Sequence, residues 1–338
     1  MITIATKLMK ETLNRLINHE ILEKDDAKQI LINIAEGAYN PSQIASFLTV
    51  YMMRSITIKE LEGFRDALLE LCIAVELSDY DPIDLCGTGG DNKDTFNIST
   101  LASFVTAGAG IKVTKHGNYG VSSACGSSNV MEFLGIRFSN EIDFLKRSIE
   151  EAGICVLHAP LFHPAMKNVA PIRKELAVKT FFNMLGPMVN PAFPKNQMVG
   201  VFNLELARMY GYLYQNTDKN FTVLHALDGY DEISLTGATK TISNHSEDVL
   251  QPKDFGVDTV TAEQIKGGHD IATSAQIFVA ILQGKGSVAQ QNVVCANAGM
   301  AISTVENISP KDGFEKAKES LLSGKGLLAL KKLQELSR

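Results

Sequence analysis

No apolar run in this chain approaches the roughly 20 residues that cross a bilayer, so no membrane span is expected. The opening stretch, MITIATKLMKETLNRL, alternates apolar and charged side chains at helical spacing. It lacks the apolar stretch and small-residue cleavage site of a secretory signal. Cysteine is sparse: Cys72, Cys86, Cys125, Cys155 and Cys295 are odd in number, widely spaced and form no CxxC. That usage predicts buried, reduced thiols in a cytoplasmic protein rather than a disulfide scaffold. No Cys/His cluster has zinc-ligand spacing. Positive charge is not in excess either, since 32 Lys and Arg face 38 Asp and Glu for a net −6. Phosphate neutralisation dominates nucleic-acid affinity, so this balance predicts no nucleic-acid partner. Internal repeats and low-complexity tracts are absent as well.

What is present is globular composition, 45% apolar and 21% charged. At roughly 150 residues per domain, 338 residues suggest two domains with cores large enough to fold without metal or disulfide. Residues 1–76 read as helical. Leu13, Leu16, Ile17 and Ile21 recur with a period near 3.6, predicting one helix, and Asp26–Glu36 reads as a second. Asn40 followed by Pro41 is an N-cap signal that opens a third helix, to Arg54. Thr57-x-x-Glu60 is a capping box that opens a fourth. The apolar residues Phe47, Leu48, Tyr51, Met52 and Met53 are expected to serve either as core or as a subunit contact.

At Pro82 the pattern changes to short apolar runs alternating with helical stretches. Ile83–Cys86, Ile111–Thr114, Ile154–His158, Met198–Phe202 and Thr222–Ala226 are the expected strands of an α/β domain with a mostly parallel central sheet. Six of the ten prolines lie between Pro160 and Pro194, marking a hinge region. Pro164–Val178 within it still reads as a helix, so the chain is expected to complete the helical domain over about 164–190. The α/β domain then comprises 77–163 and 191–338, with one or two charged helices over 310–338.

The chemistry gathers in four places. In IDLCGTGGDNKDTFNIST, residues 83–100, a strand runs into three glycines in four residues and then a helix start. Glycines let the backbone approach a ligand, and a helix N-terminus offers free N–H groups, so this is an expected anion site. It is neither a Walker A loop nor GxGxxG. A second loop, Lys115 to Ser123, leaves the next strand. There Lys115 can supply a mobile positive charge, and Asn118, Ser122 and Ser123 can supply neutral hydrogen bonds. Cys125-Gly126-Ser127-Ser128 opens another helix with further N–H groups. Asp231-Glu232, after a strand, are candidate magnesium ligands beside a phosphate, with Ser99 a third oxygen. Arg173, on the hinge-region helix, suits a carboxylate ligand, although taken alone it reads as a surface charge.

Together these residues resemble the anthranilate phosphoribosyltransferase family of tryptophan biosynthesis. GTGGD (87–91), NIST (97–100), KHGN (115–118), CGSS (125–128), APIRKEL…FFNMLGPMVNP (170–191) and DGYDE (228–232) carry the likeness, in order, over about 150 residues. The resemblance implies a small N-terminal helical domain plus a larger α/β phosphoribosyl-binding domain, as in nucleoside phosphorylases, with the active site in the cleft between them. It implies a cytoplasmic homodimer joined through the helical domain. It also implies Mg²⁺-dependent transfer of phosphoribose from phosphoribosyl pyrophosphate (PRPP) to the amine of anthranilate. Carried over by motif, Gly87, Gly90, Asp91, Thr95, Asn97, Ile98, Ser99 and Thr100 would contact PRPP. So would Lys115, His116, Gly117, Asn118, Tyr119, Gly120, Val121, Ser122, Ser123 and Ser127. Ser99, Asp231 and Glu232 would hold magnesium; Gly87, Asn118 and Arg173 would contact anthranilate. No discrete acid or base is implied, and Lys115 would act electrostatically.

Four positions depart from the family pattern: Tyr119-Gly120 where Arg-Ser is usual, Asn129 where Asp is common, and Ala177 where Gly is common. Two other readings remain open. A pyrimidine nucleoside phosphorylase-like enzyme would share the layout without needing Asp231-Glu232 for magnesium. A non-catalytic nucleic-acid-binding relative is disfavoured by the acidic balance.

Overall fold

The computed structural model describes residues 4–120 and 125–338. The chain divides into two compact units, one holding residues up to Ala74 with Pro160–Pro191, the other Val75–Ala159 with Ala192–Arg338.

The helical unit opens with α1 (Ile4–Ile17), α2 (Lys24–Ala35), α3 (Pro41–Met53) and α4 (Ile58–Glu70). The first helix is shorter than its apolar spacing predicts. His19 turns left-handed at φ 63°, so Ile21 falls outside the helix and Leu22 enters the core in its place. Ile17 and Ile21 are both exposed. The cap signals are realised atom by atom. Asn40 Oδ1 accepts the Gln43 N–H at 3.0 Å. Thr57 Oγ1 accepts the Glu60 N–H at 3.3 Å, and Glu60 Oε2 accepts the Thr57 N–H at 2.9 Å.

Phe47, Leu48 and Tyr51 are buried inside the unit, which decides for core over contact at these three positions. Of the five residues, only Met52 and Met53 are exposed. The rings of Phe47, Tyr51 and Phe64 meet Phe181 from the returning segment, which stacks on Phe64 with centroids 4.5 Å apart. Such aromatic pairs add about 0.5–1.5 kcal/mol each beyond burial. The returning segment is not the continuous helix expected over Pro164–Val178. It is a 3₁₀ turn, Pro164–Asn168, then a helix, Ala170–Leu176. Pro171 has no N–H to carry an unbroken ladder, so the chain restarts there.

The α/β unit is built on one seven-stranded sheet of order β3-β2-β1-β4-β5-β6-β7. Its strands are β1 (Ile83–Gly87), β2 (Val113–Gly117), β3 (Ile154–His158), β4 (Asn196–Gly200), β5 (Asn220–Ala226), β6 (Thr239–Ser243) and β7 (Glu247–Leu250). The first five are parallel and the last two antiparallel. The strand β2 runs past its apolar run because Lys115 and His116 find backbone and carboxylate partners inside the sheet. The polar β6 and β7 carry too few apolar residues to be predicted. Helices Ile98–Gly108, Ile271–Leu282, Val288–Glu306 and Pro310–Leu322 supply a core that includes Phe104, Phe278, Val293 and Phe314. Residues 310–338 form two helices, Pro310–Leu322 and Lys325–Leu336. The order reverses between β1 and β4, the switch point beside which open parallel sheets place ligands.

Candidate active site

At that switch point, β1 and β4 end in register with Gly87 opposite Gly200. A Cβ at either would collide with Asp231, whose main chain and carboxylate rest on these two glycines. Gly89 and Gly90 follow with φ of 64° and 79°, a turn that residues bearing a Cβ resist. This geometry brings the predicted groups together. Asp231 Oδ2 accepts the Gly89 N–H at 2.7 Å. Asp91 Oδ1 accepts the Lys93 N–H at 3.0 Å, and its Oδ2 accepts the Asp231 N–H at 3.4 Å. Glu232 Oε1 accepts the Ser99 N–H at 2.9 Å. The helix start was expected to present free N–H groups, but the donor at Ser99 already faces a protein carboxylate, where the helix dipole favours it. Ile98 and Thr100 are buried in the same turn. Thr95 pairs by a β-bridge with Lys266, which fixes the end of the glycine loop.

Burial, and then repulsion from Asp91, raises the proton affinity of Asp231 above the ordinary carboxylate range. Burial, and then the Asp231 charge, does the same to Glu232. The N–H donors at Gly89 and Ser99 and the charge of Lys115 oppose these shifts without cancelling them. A divalent cation would. Magnesium takes one or two protein carboxylates and completes its shell with phosphate oxygens and water. Among the described residues no group of three or more His, Cys, Asp or Glu could hold a metal by itself. Two neighbouring carboxylates short of positive charge fit a magnesium ion that takes its remaining ligands from a phosphate substrate and water.

Lys115 corrects the expectation of a mobile charge. It is 2% exposed, and its Nζ donates to the Leu85 carbonyl at 2.6 Å. It is a fixed cation beneath the site. His116 is likewise a buried strand residue, its N–H given to Asp84 Oδ1 at 3.2 Å. Asn97 Nδ2 donates to the Cys125 carbonyl at 3.0 Å and ties the first loop to the second. In the second loop, the Asn118 carbonyl accepts the Ser127 hydroxyl and the Ser128 N–H, both at 3.2 Å. The N–H groups expected at that helix start are thus partly engaged within the protein. Gly117 packs against Ser127. Tyr119 lies edge-on to His158 at 4.7 Å and gives its hydroxyl to Glu132 at 3.2 Å. Asn129 Oδ1 gathers the N–H groups of Gly120 and Gly126, both at 3.0 Å. Val121, Ser122 and Ser123 lie outside the described residues.

Arg173 sits on the helix Ala170–Leu176 of the helical unit, its guanidinium carbon 5.2 Å from the centroid of the Phe182 ring. Burial lowers its pKa, and no carboxylate among the described residues offsets that. Sequence reasoning missed Gly200, the second half of the Asp231 seat; its only signal is a glycine closing an apolar strand. It also missed Lys93, whose Nζ lies 4.6 Å over the Tyr230 ring.

The chain matches the glycosyl transferase family a/b domain over residues 79–327 and that family's helical bundle domain over residues 10–72. A curated anthranilate phosphoribosyltransferase of Flavobacterium psychrophilum is 76% identical over 329 residues, 97% of this chain and all of that protein. The crystal structure of the Thermus thermophilus anthranilate phosphoribosyltransferase superposes with a TM-score of 0.90 at 31% identity, covering 96% of this chain and 99% of that one. The Saccharomyces cerevisiae anthranilate phosphoribosyltransferase, solved in complex with PRPP and Mg, shares the fold with a TM-score of 0.90 at 24% identity and 99% coverage of each chain. By these matches the chain belongs to the anthranilate phosphoribosyltransferase family.

Proposed function

We infer that this protein is the transferase that moves the phosphoribosyl group of PRPP onto the amine of anthranilate, giving N-(5-phosphoribosyl)anthranilate and pyrophosphate in tryptophan biosynthesis. One observation carries the reading: Asp231 and Glu232, from the segment after β5, set two carboxylates against the glycine loop and the helix start that follows it, at the switch point of a parallel sheet. A nucleoside phosphorylase has no use for such a pair. The Mg–PRPP complex of the yeast enzyme, which shares the fold, agrees with this assignment.

In the reaction the bond from the anomeric carbon to pyrophosphate breaks and a bond from that carbon to the amine nitrogen forms. The ammonium proton is then released to solvent. Negative charge grows on the leaving pyrophosphate and positive charge on the ribose. To PRPP we assign, by the family motifs, Gly87, Gly90, Asp91, Thr95 and Asn97–Thr100, with Lys115–Ser123 and Ser127. The fixed charge of Lys115 stabilises the departing diphosphate. Asp231, Glu232 and the Ser99 hydroxyl would hold magnesium, which when bound neutralises charge on the leaving group. Arg173 takes the anthranilate carboxylate as a bidentate fork, and Gly87 and Asn118 are further anthranilate contacts. An aromatic amine is neutral at pH 7, so it requires placement more than a base. The enzyme is further proposed to be a cytoplasmic homodimer joined through its helical unit, where Met52 and Met53 are exposed. No helix among the described residues is long and apolar enough to cross a membrane.

Loss of anthranilate fluorescence on adding PRPP tests the reading. The expected loss requires both substrates and magnesium. Folded protein that consumes no anthranilate but cleaves pyrimidine nucleosides with phosphate refutes it.

A further inference from the structure

Arg173 does not stand alone. Its guanidinium lies over the face of Phe182, and its Nη2 donates to Asn183 Oδ1 at 3.4 Å. The same Oδ1 accepts the Thr180 N–H at 3.1 Å. Both partners are donors, so the amide oxygen must face them and the orientation of Asn183 is fixed. Phe182 stacks on Phe181 with centroids 4.6 Å apart, and Phe181 stacks in turn on Phe64 of α4. The platform under Arg173 is therefore anchored in the core of the bundle. Ala177 closes the arginine helix in a left-handed conformation, φ 53°, and the chain turns there toward Thr180–Asn183.

A neutral amide orients a guanidinium without cancelling its charge. A carboxylate at the same place would orient it equally well and would also satisfy the Thr180 N–H. It would, however, occupy the charge that an incoming carboxylate needs. We propose that Phe182 and Asn183 are positioning residues, a face-and-edge clamp that presents Arg173 as an unneutralised fork and so selects an acceptor amine that carries a carboxylate. The proposal rests on the acceptor role given to Arg173 above and adds the residues that set its aim and keep it unpaired.

The test compares Asn183→Asp, Asn183→Ala and Phe182→Leu with the full-length wild type. In Asn183→Asp the anthranilate KM is expected to rise tenfold or more, and the inhibition constant of benzoate, which keeps only the carboxylate, by a similar factor. The PRPP KM and the melting temperature should hold. Asn183→Ala and Phe182→Leu should raise the anthranilate KM about three- to tenfold with kcat little changed. An anthranilate KM in Asn183→Asp within twofold of wild type overturns the clamp. So does a parallel rise in both KM values with a lower melting temperature, which marks a merely structural residue. Benzoate binding measured by calorimetry tests the clamp without turnover. A wild type that binds benzoate through Arg173, with binding lost in Asn183→Asp, yet transfers nothing to anthranilate, supports the clamp and refutes the reaction.

Discussion

Each unit buries carboxylates, and it treats them in opposite ways. Glu60 of the helical unit is fully buried and takes donors from the Leu22 and Thr57 N–H groups, the Thr57 and Tyr51 hydroxyls and the Arg54 guanidinium. Burial alone would raise its proton affinity; the hydrogen bond from Arg54, with those from Leu22 and Thr57, outweighs this and holds the carboxyl below its ordinary range. Asp231 and Glu232 of the α/β unit meet one backbone N–H apiece; burial and then a neighbouring negative charge, Asp91 for Asp231 and Asp231 for Glu232, push both upward. A carboxylate that a fold completes for itself is architecture. A carboxylate left short of positive charge is an invitation to a cation.

The contrast can be broken in three places. The largest effect is expected from Asp231→Asn with Glu232→Gln. Steady-state assays should show kcat/KM lower by roughly 100-fold or more and a raised magnesium requirement. Thermal melting should show no loss of stability, because two crowded charges have gone. A fall in stability of the kind expected for Glu60 would erase the distinction. Glu60→Gln should do the reverse. It leaves Arg54, 8% exposed in its side chain, without its anion, and should cost about 3 kcal/mol in chemical denaturation. The folded fraction should keep its KM values. Because the folded pKa of Glu60 is depressed, its contribution is complete above the unfolded value near 4.5 and is lost as pH falls through the folded value. The gap between wild type and Glu60→Gln should therefore narrow below about pH 4.5. The smallest change sharpens the view of the returning segment: Ala177→Gly should stabilise the protein by about 0.5–1 kcal/mol, because a Cβ at φ 53° is strained. An unchanged denaturation midpoint would mean that the strain is relaxed elsewhere.

The sequence is most legible where a local signal meets no competitor. Asn40-Pro41 and Thr57-x-x-Glu60 start helices where their capping chemistry says they should. Apolar runs locate the five parallel strands, because strands buried on both faces read as continuous hydrophobic segments. Ends are harder to read: Ile21 matches a helical period, yet the chain has already turned at His19. The polar strands β6 and β7 carry no apolar run to betray them. In the candidate site, the glycines and carboxylates are visible as residue types, but their hydrogen bonds are not. Gly89 and Asp231 are 142 residues apart in the chain, and only the sheet order makes them neighbours. The burial of Lys115 is hidden for the same reason: its partner, the Leu85 carbonyl, belongs to the adjacent strand. Ala177 is the reverse case. The departure is plain in the sequence, and its meaning, a left-handed helix end without glycine, appears only in the backbone.

The floor under Asp231 has a further consequence. At Gly87 and Gly200 there are no side chains to repack, and main chain has no rotamers to exchange. The height of this carboxylate above the sheet is thus set by the β1–β4 ladder rather than by the packing of neighbours. Mutational drift in the surrounding core can change volumes and rotamers without moving it. The geometry most sensitive to error rests on the part of the molecule with the smallest mechanical tolerance.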